Sequence, residues 1–308
     1  MKALGAGLEY LSGKELWDSV IHTTSSAYAS RALHSIPTES HTKQEMIGDI
    51  PVNFQIRVVK NLARKSEEIK RRASQVPQAK DFNPFLPYDP QLYVGELTDQ
   101  YRCLLNKFNV MDHHILMVTT KFITQLEPLN REDFLAAQLC LDAQEGLVFY
   151  NGGPEAGASI THKHLQMVPL PLCSESFPFL PLLSAAPTDK VKVTQSSLPF
   201  MHLVAASSRQ TDTEARSEHN WQIYRKMASQ LGLLPEDEGL SLPHNLLMTR
   251  DHLWVVPRRC ERHTGLAVNA LGFAGTLLVK DQQQLETLLT TGCLPLLQAV
   301  ATTPGHIE

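Results

Sequence analysis

The residues best suited to chemistry lie in one stretch, 151–169, which reads NGGPEAGASITHKHLQMVP. Side chains alternate between faces along a strand, so His162, His164 and Gln166 are predicted to share one side. Leu165 and Met167 then turn to a core on the other. Two imidazoles and a carboxamide in a row are costly to bury without polar partners. Ahead of them, Gly152, Gly153 and Gly157 form a turn able to bring backbone N–H groups close to an anion, and Ser159 adds a hydroxyl. Neutral imidazole is a good nucleophile, and its ordinary pKa of about 6.5 leaves it largely neutral at pH 7. Attack on phosphorus through one ring nitrogen requires the other to keep its proton, which a carbonyl acceptor would fix. Flanking donors would then stabilise charge on the phosphoryl oxygens.

Spacing alone leaves alternatives open. H-x-H on a strand also suits zinc, which would need further ligands, and only the distant His113, His114 or His244 are candidates. The pair could also be two surface or structural histidines.

The elements that must position this stretch follow from pattern. Residues 13–32 are predicted helical, with Leu16, Val20 and Ile21 on one face. A polar, Pro-containing stretch runs to about residue 51, and residues 54–60 have strand composition. A basic run at 60–72, with Arg64, Lys65, Lys70, Arg71 and Arg72, reads as a solvated helix face or loop. Residues 83–87 (NPFLP) form a stiff connector. Apolar runs at 101–108 and 114–120 read as a hairpin. Asn130 caps a helix expected to reach about Gly146, and a Gly-rich turn leads to a strand at 162–168. Five prolines in 169–190 mark a boundary or surface loop. Then come a strand (200–206), a helix (212–231), paired strands (245–249 and 253–256), a mixed run (269–280) and a helix from about Gln282, interrupted or ended by Gly292 and Pro295. This is an α+β pattern around an antiparallel sheet. It divides into 1–170 with the H-x-H-x-Q motif, a 171–190 connector, and 191–308, or forms one compact unit.

Composition narrows the class. Of 308 residues, 43% are hydrophobic and 19% charged, which excludes a disordered or fibrous chain. The net charge of −4 argues against a dedicated nucleic-acid binder, while a small anionic substrate needs only local positive charge. Five scattered cysteines without a C-x-x-C suit reduced, structural thiols. No leader pattern opens the chain and no stretch approaches about 18 apolar residues, so no membrane span is expected and the cytoplasm is the default location.

On the residues G-P-E-A-G-A-S followed by H-K-H-L-Q, the chain resembles the diadenosine tetraphosphate phosphorylases, or ATP adenylyltransferases, of the histidine-triad superfamily. Stretches 83–87 (NPFLP), 105–120 (LNKFNVMDHHILMVTT), 245–249 (NLLMT) and 269–280 (NALGFAGTLLVK) carry the resemblance from about residue 50 onward. It implies a histidine-triad-like sheet with flanking helices. It also implies that His164 is the nucleophile of an adenylyl-histidine intermediate, with His162 orienting it. Gln166 stands where hydrolase branches carry a third histidine, a replacement that goes with transfer. Asn151 and Ser159, beside Gly157, match α-phosphate contacts, and Asn106 a ribose contact. Lys65, Asn83 and Pro84 match contacts to the distal nucleotide. Asn269, Gly275, Thr276 and Lys280 match the C-terminal part of the pocket, though Thr276 departs from the methionine expected there. The implied ligands are diadenosine tetraphosphate, ATP, ADP and phosphate, with a divalent cation, Mg2+, arriving with the phosphates rather than held by a protein metal site. Competing readings are a hexose-1-phosphate uridylyl- or guanylyltransferase, where Pro often stands in place of Lys163, a non-catalytic metal or nucleotide binder, and a hydrolase.

Overall fold

The computed structural model describes residues 10–59, 83–174, 176–184, 198–235 and 237–303. Lys65 and the basic run from residue 60 lie outside them. Thirteen strands occur among these residues: β1 (Thr38–Ile47), β2 (Ile50–Val59), β3 (Tyr93–Glu96), β4 (Tyr101–Leu105), β5 (Ile115–Thr119), β6 (Gly146–Gly152), β7 (His164–Pro169), β8 (Leu203–Ala206), β9 (His244–Met248), β10 (His252–Pro257), β11 (Arg262–His263), β12 (Leu266–Ala267) and β13 (Thr276–Val279). The helices are α1 (Gly13–Ala29), α2 (Arg131–Ala143), α3 (Leu180–Ser184), α4 (Thr213–Gln230), α5 (Gln282–Thr291) and α6 (Cys293–Val300).

Eight strands form one antiparallel sheet in the order β3-β4-β5-β7-β6-β9-β10-β8. Strands from before and after the Pro-rich stretch therefore share hydrogen bonds, β6 pairing with β9. That stretch is not wholly surface: its Phe177 and Phe179 are buried. A second sheet joins β1 and β2 antiparallel, with β13 parallel to β2.

The alternation along β7 places the two cores. Leu165 and Met167 pack with Val148, Tyr150 and Leu246 against α1, α2 and α4. On the opposite face, Val168, Phe149 and Leu247 pack against the second sheet, α5 and α6. A smaller group of Phe85, Leu104, Leu116 and Val118 shares the sheet through β4 and β5. His164 and Gln166 emerge on the Val168 face, beside that smaller group.

Several expectations need correction. Ile21 is 42% exposed, whereas Leu16 and Val20 are fully buried, so the apolar face of α1 is narrower than predicted. Strand β1 is missed because TESHTKQEMI has no continuous apolar face; β2 recruits it. Helix α2 stops at Ala143 and β6 begins at Gly146, seven buried residues that composition alone blends into the preceding helix. His162 precedes β7 and makes only an isolated bridge to Thr124. Gly292, at φ 93°, separates α5 from α6, and Pro295 is accommodated in the first turn of α6, where its missing N–H costs little. Cys103, Cys140 and Cys293 are buried free thiols, and Cys173 and Cys260 are half-buried. No helix among the described residues is long and apolar enough to cross a membrane.

Lys163, between the two histidines, turns to the helical side. It is fully buried, and its Nζ lies 2.7 Å from Asp133 Oδ2 and 3.1 Å from the Pro128 carbonyl. Asp133 closes the capping box of α2 with Asn130 and accepts from the Tyr101 hydroxyl. The pair thus ties the start of β7 to the first turn of α2. Removing one partner of a buried ion pair leaves the other charge uncompensated. Lys163→Met is expected to lower unfolding stability by about 3–5 kcal/mol in urea titrations.

Candidate active site

His164 is 5% exposed, and its Nδ1 lies 2.8 Å from the His162 carbonyl. A carbonyl only accepts, so Nδ1 carries the proton and Nε2 keeps the lone pair. Nε2 has no hydrogen-bond partner among the described residues. Burial pushes the His164 imidazole down to about 4, the nearby His162 ring adding to the effect and the carbonyl bond opposing it. The ring is therefore neutral at pH 7 with a free nucleophilic nitrogen. Its backbone is clamped by Gln125, whose Oε1 accepts from His164 N at 2.8 Å while Nε2 donates to the His164 and Asn151 carbonyls.

His162 is held on both sides. Its Nε2 donates to the Lys121 carbonyl at 3.1 Å and lies 2.8 Å from Thr119 Oγ1. Its Nδ1 then accepts from Asn83 Nδ2 at 2.9 Å. Asn83 is oriented in turn by the Phe85 N–H on its Oδ1. Burial lowers the pKa of His162. The Phe85 ring lies edge-on to both imidazoles, with centroids 5.6 Å from His162 and 5.4 Å from His164.

Gln166 is oriented by a relay. Asn106 Nδ2 donates to His114 Nδ1 at 3.1 Å, so His114 keeps its proton on Nε2 and donates to Gln166 Oε1 at 3.0 Å. Burial holds His114 neutral, at about 4. With its oxygen engaged, Gln166 presents its NH2. Asn151 presents its NH2 for the same reason: Oδ1 accepts from Asn245 Nδ2 and from the Ala270 N–H, each at 2.9 Å. Phe149 stands opposite Gln166 in the β6–β7 register, and continuing that register sets Asn151 opposite His164.

The turn after β6 behaves differently from expectation. The N–H groups of Gly153, Ala156, Gly157 and Ala158 donate to carbonyls inside the turn or at its entry, which leaves these four committed within the fold. Gly157 is required by its φ of 93° and because a Cβ there would meet Asn269 at 3.0 Å. Asn269 caps the 3-10 turn Ala270–Ala274 through the Leu271 N–H. Ser159 is exposed and Pro84 half-buried.

The fold thus gathers His162, His164, Gln166, Asn83, Asn106, Asn151, Gly157 and Asn269. Gly275, Thr276 and Lys280 lie at the start and just past the end of β13. Gly275 packs against Pro178 and Phe179, Thr276 is buried opposite Gln55 in β2, and Lys280 is exposed beyond β13. Of the histidines considered as further zinc ligands, His114 and His244 commit both ring nitrogens to protein hydrogen bonds. Gln125, Thr119 and Asn245 were not expected, and His114, considered only as a metal ligand, instead orients Gln166. Each reaches the site from another strand or loop, and no local spacing marks that role.

This is a histidine-triad-type site: one neutral, carbonyl-locked imidazole on a central antiparallel strand, flanked by two amide donors. A family model described as the Ap4A phosphorylase N-terminal domain matches residues 8–188, and one described as the ATP adenylyltransferase C-terminal domain matches residues 196–303. The chain is 32% identical over 249 residues to Diadenosine 5',5'''-P1,P4-tetraphosphate phosphorylase 2 of Saccharomyces cerevisiae, covering 71% of this chain and 75% of that protein. It is 28% identical over 285 residues to Protein APA1 of the same yeast, covering 84% of each. The crystal structure of yeast Ap4A phosphorylase Apa2 in complex with Ap4A superimposes with a TM-score of 0.74 at 25% identity, over 95% of this chain and all of that one. The chain belongs to the Ap4A phosphorylase family.

Three buried imidazoles, His114, His164 and His244, titrate near 4 in the fold because burial disfavours their charged form. In the unfolded chain each titrates at about 6.5, so the unfolded state binds protons first as pH falls. Their contribution is complete above about pH 7 and is lost progressively from about 6.5 towards 4. Denaturant midpoints measured between pH 7.5 and 4 are expected to fall accordingly, with a shallower slope in His164→Asn.

Proposed function

We propose that this chain catalyses the reversible phosphorolysis of diadenosine tetraphosphate, in which phosphate cleaves the dinucleotide to ATP and ADP. The observation that carries this is the His164 ring, its Nδ1–H locked to the His162 carbonyl and its Nε2 free opposite Asn151. Family membership and the yeast relatives, named as phosphorylases of this dinucleotide, support the substrate.

The cycle has two displacements. The Nε2 lone pair attacks an α-phosphorus, and the P–O bond to the departing ATP breaks. The ring now carries a positive charge, which the Nδ1–H shares with the His162 carbonyl. An oxygen of inorganic phosphate then attacks the same phosphorus, breaking the P–N bond and releasing ADP. The amide groups of Asn151 and Gln166 donate to the non-bridging oxygens as charge develops. Gln166 cannot supply a proton, and a polyphosphate leaving group needs none. Water is a poor competitor when the second acceptor is held as an anion, which fits transfer over hydrolysis. Mg2+ enters with the polyphosphate as part of the substrate, and the setting we assign is the cytoplasm. Lys163 is buried against Asp133, and nothing specific in the site favours the hexose-1-phosphate reading.

Incubation with α-labelled dinucleotide in the absence of phosphate is expected to yield an acid-labile, base-stable adduct on His164, discharged as ADP when phosphate is added. Label on another residue, or none, would refute the mechanism, and activity only in UDP-glucose exchange would move the chain to the hexose branch. The relay through His114 gives a separate expectation. His114→Phe, which cannot donate to Gln166 Oε1, should lower kcat by about 10–100-fold, less than outright loss of a transition-state donor because the Gln166 amide itself remains. His114→Gln, whose terminal amide N–H occupies the place of the Nε2–H, should recover most of it.

A further inference from the structure

Arg258, at the end of the third strand from His164 in the main sheet, is 4% exposed, and no carboxylate pairs with it among the described residues. Its guanidinium donates only to neutral oxygens. Nε reaches the Val300 carbonyl at 3.3 Å. One terminal nitrogen reaches Asn245 Oδ1 at 2.6 Å and the Ala156 carbonyl at 3.2 Å. The other reaches the Cys260 and Val268 carbonyls, each at 2.9 Å. Burial lowers its pKa to about 10, so it remains cationic at neutral pH. A buried charge with no carboxylate in contact is expensive; Glu261 favours the cation only from a distance, its carboxylate being bonded to Arg262, and the guanidinium sits under the turn that carries Ala156 and Gly157.

An asparagine amide is nearly symmetric in shape, so packing alone does not decide which way it faces. Arginine has donors and no acceptor. Its 2.6 Å bond therefore commits Asn245 Oδ1, and the Asn245 NH2 must face the other way, onto Asn151 Oδ1 at 2.9 Å and the Ala156 carbonyl at 3.0 Å. With its oxygen taken by Asn245 and by the Ala270 N–H, Asn151 turns its own NH2 toward the His164 side of the sheet. Each amide is thus held from two sides: Asn245 by the guanidinium on its oxygen and by the Ala156 and Tyr150 carbonyls on its NH2, Asn151 by Asn245 and by the Ala270 N–H, and the guanidinium is the one charged member of the set.

We propose that Arg258 is a remote positioning residue of the phosphate site, holding the Asn245–Asn151 amide pair so that Asn151 donates to the α-phosphoryl group. This rests on the nucleotidyl-transfer reading above, deepened by a residue that touches no substrate atom.

The test is a double-mutant cycle between Arg258→Lys and Asn151→Ala, read in two ways: kcat for phosphorolysis, and equilibrium binding of AMP by calorimetry. Lysine keeps the charge but has only three donors, so it cannot hold all five oxygens. Arg258→Lys is expected to lower kcat by about 10–100-fold, more than it raises KM, since a misdirected donor costs most where charge develops. In the Asn151→Ala background the same change should cost less than about twofold in either measurement, because its route of action is already gone. Should Arg258→Lys fail to fold, Asn245→Asp serves in its place: its carboxylate satisfies the guanidinium but cannot donate to Asn151. If the wild type turns over and the two effects multiply, the proposal falls and the function stands. If the wild type binds AMP with non-multiplying effects but does not turn over, the function falls and the positioning role stands. Multiplying effects on AMP binding, or no AMP binding at all, overturn the proposal.

Discussion

Donation from His164 Nδ1 to the carbonyl two residues before it is the interaction on which the site depends. It selects the tautomer, leaves Nε2 with its lone pair, and waits to share the charge that would appear once that nitrogen bonds to phosphorus. It is available only because residues 162 and 164 lie on the same side of an extended chain, with β5 and β6 pairing on either flank to hold the backbone straight. Gln125 reinforces this by bonding both the N–H and the C=O of His164 with a single buried carboxamide.

Around that ring, orientation is enforced by groups whose hydrogen-bonding sense cannot be reversed. Carbonyls and main-chain N–H groups settle His162, Asn83 and Asn106. A neutral imidazole passes the sense on to Gln166. A guanidinium passes it through Asn245 to Asn151. In a dry environment each such bond is strong and each unmet group is costly, so fully satisfied networks are stiff. Stiffness suits the proposed mechanism, in which two amides would already face the phosphoryl oxygens before charge develops.

The motif's alternation also explains why a lysine stands between two site histidines. Position 163 faces the helical core, and its ammonium survives there by meeting Asp133 at the start of α2. The same strand thus presents its chemistry on one face and an anchoring ion pair on the other, and the ion pair resists a one-residue slip that would exchange the faces.

Sequence by itself determined the H-x-H-x-Q face, the Asn130 cap, the β4–β5 and β9–β10 pairings and the family resemblance, because each is written in neighbouring residues through a period of two, a capping pattern or a local motif. It did not reveal β1, which has no apolar face and exists through pairing with β2, or β6, whose uninterrupted apolar run matches a buried helix as well as a central strand. Only the tertiary structure decided which of the distant residues meet His164. Gln125, His114, Asn245 and Arg258 arrive from separate strands and loops, and nothing in their local spacing records that meeting. Gly275, Thr276 and Lys280 lie in a motif-like run, yet β13 pairs with β2, and that pairing directs them to the second core and the surface. Periodicity encodes which face a side chain takes, while long-range pairing alone sets what lies opposite it.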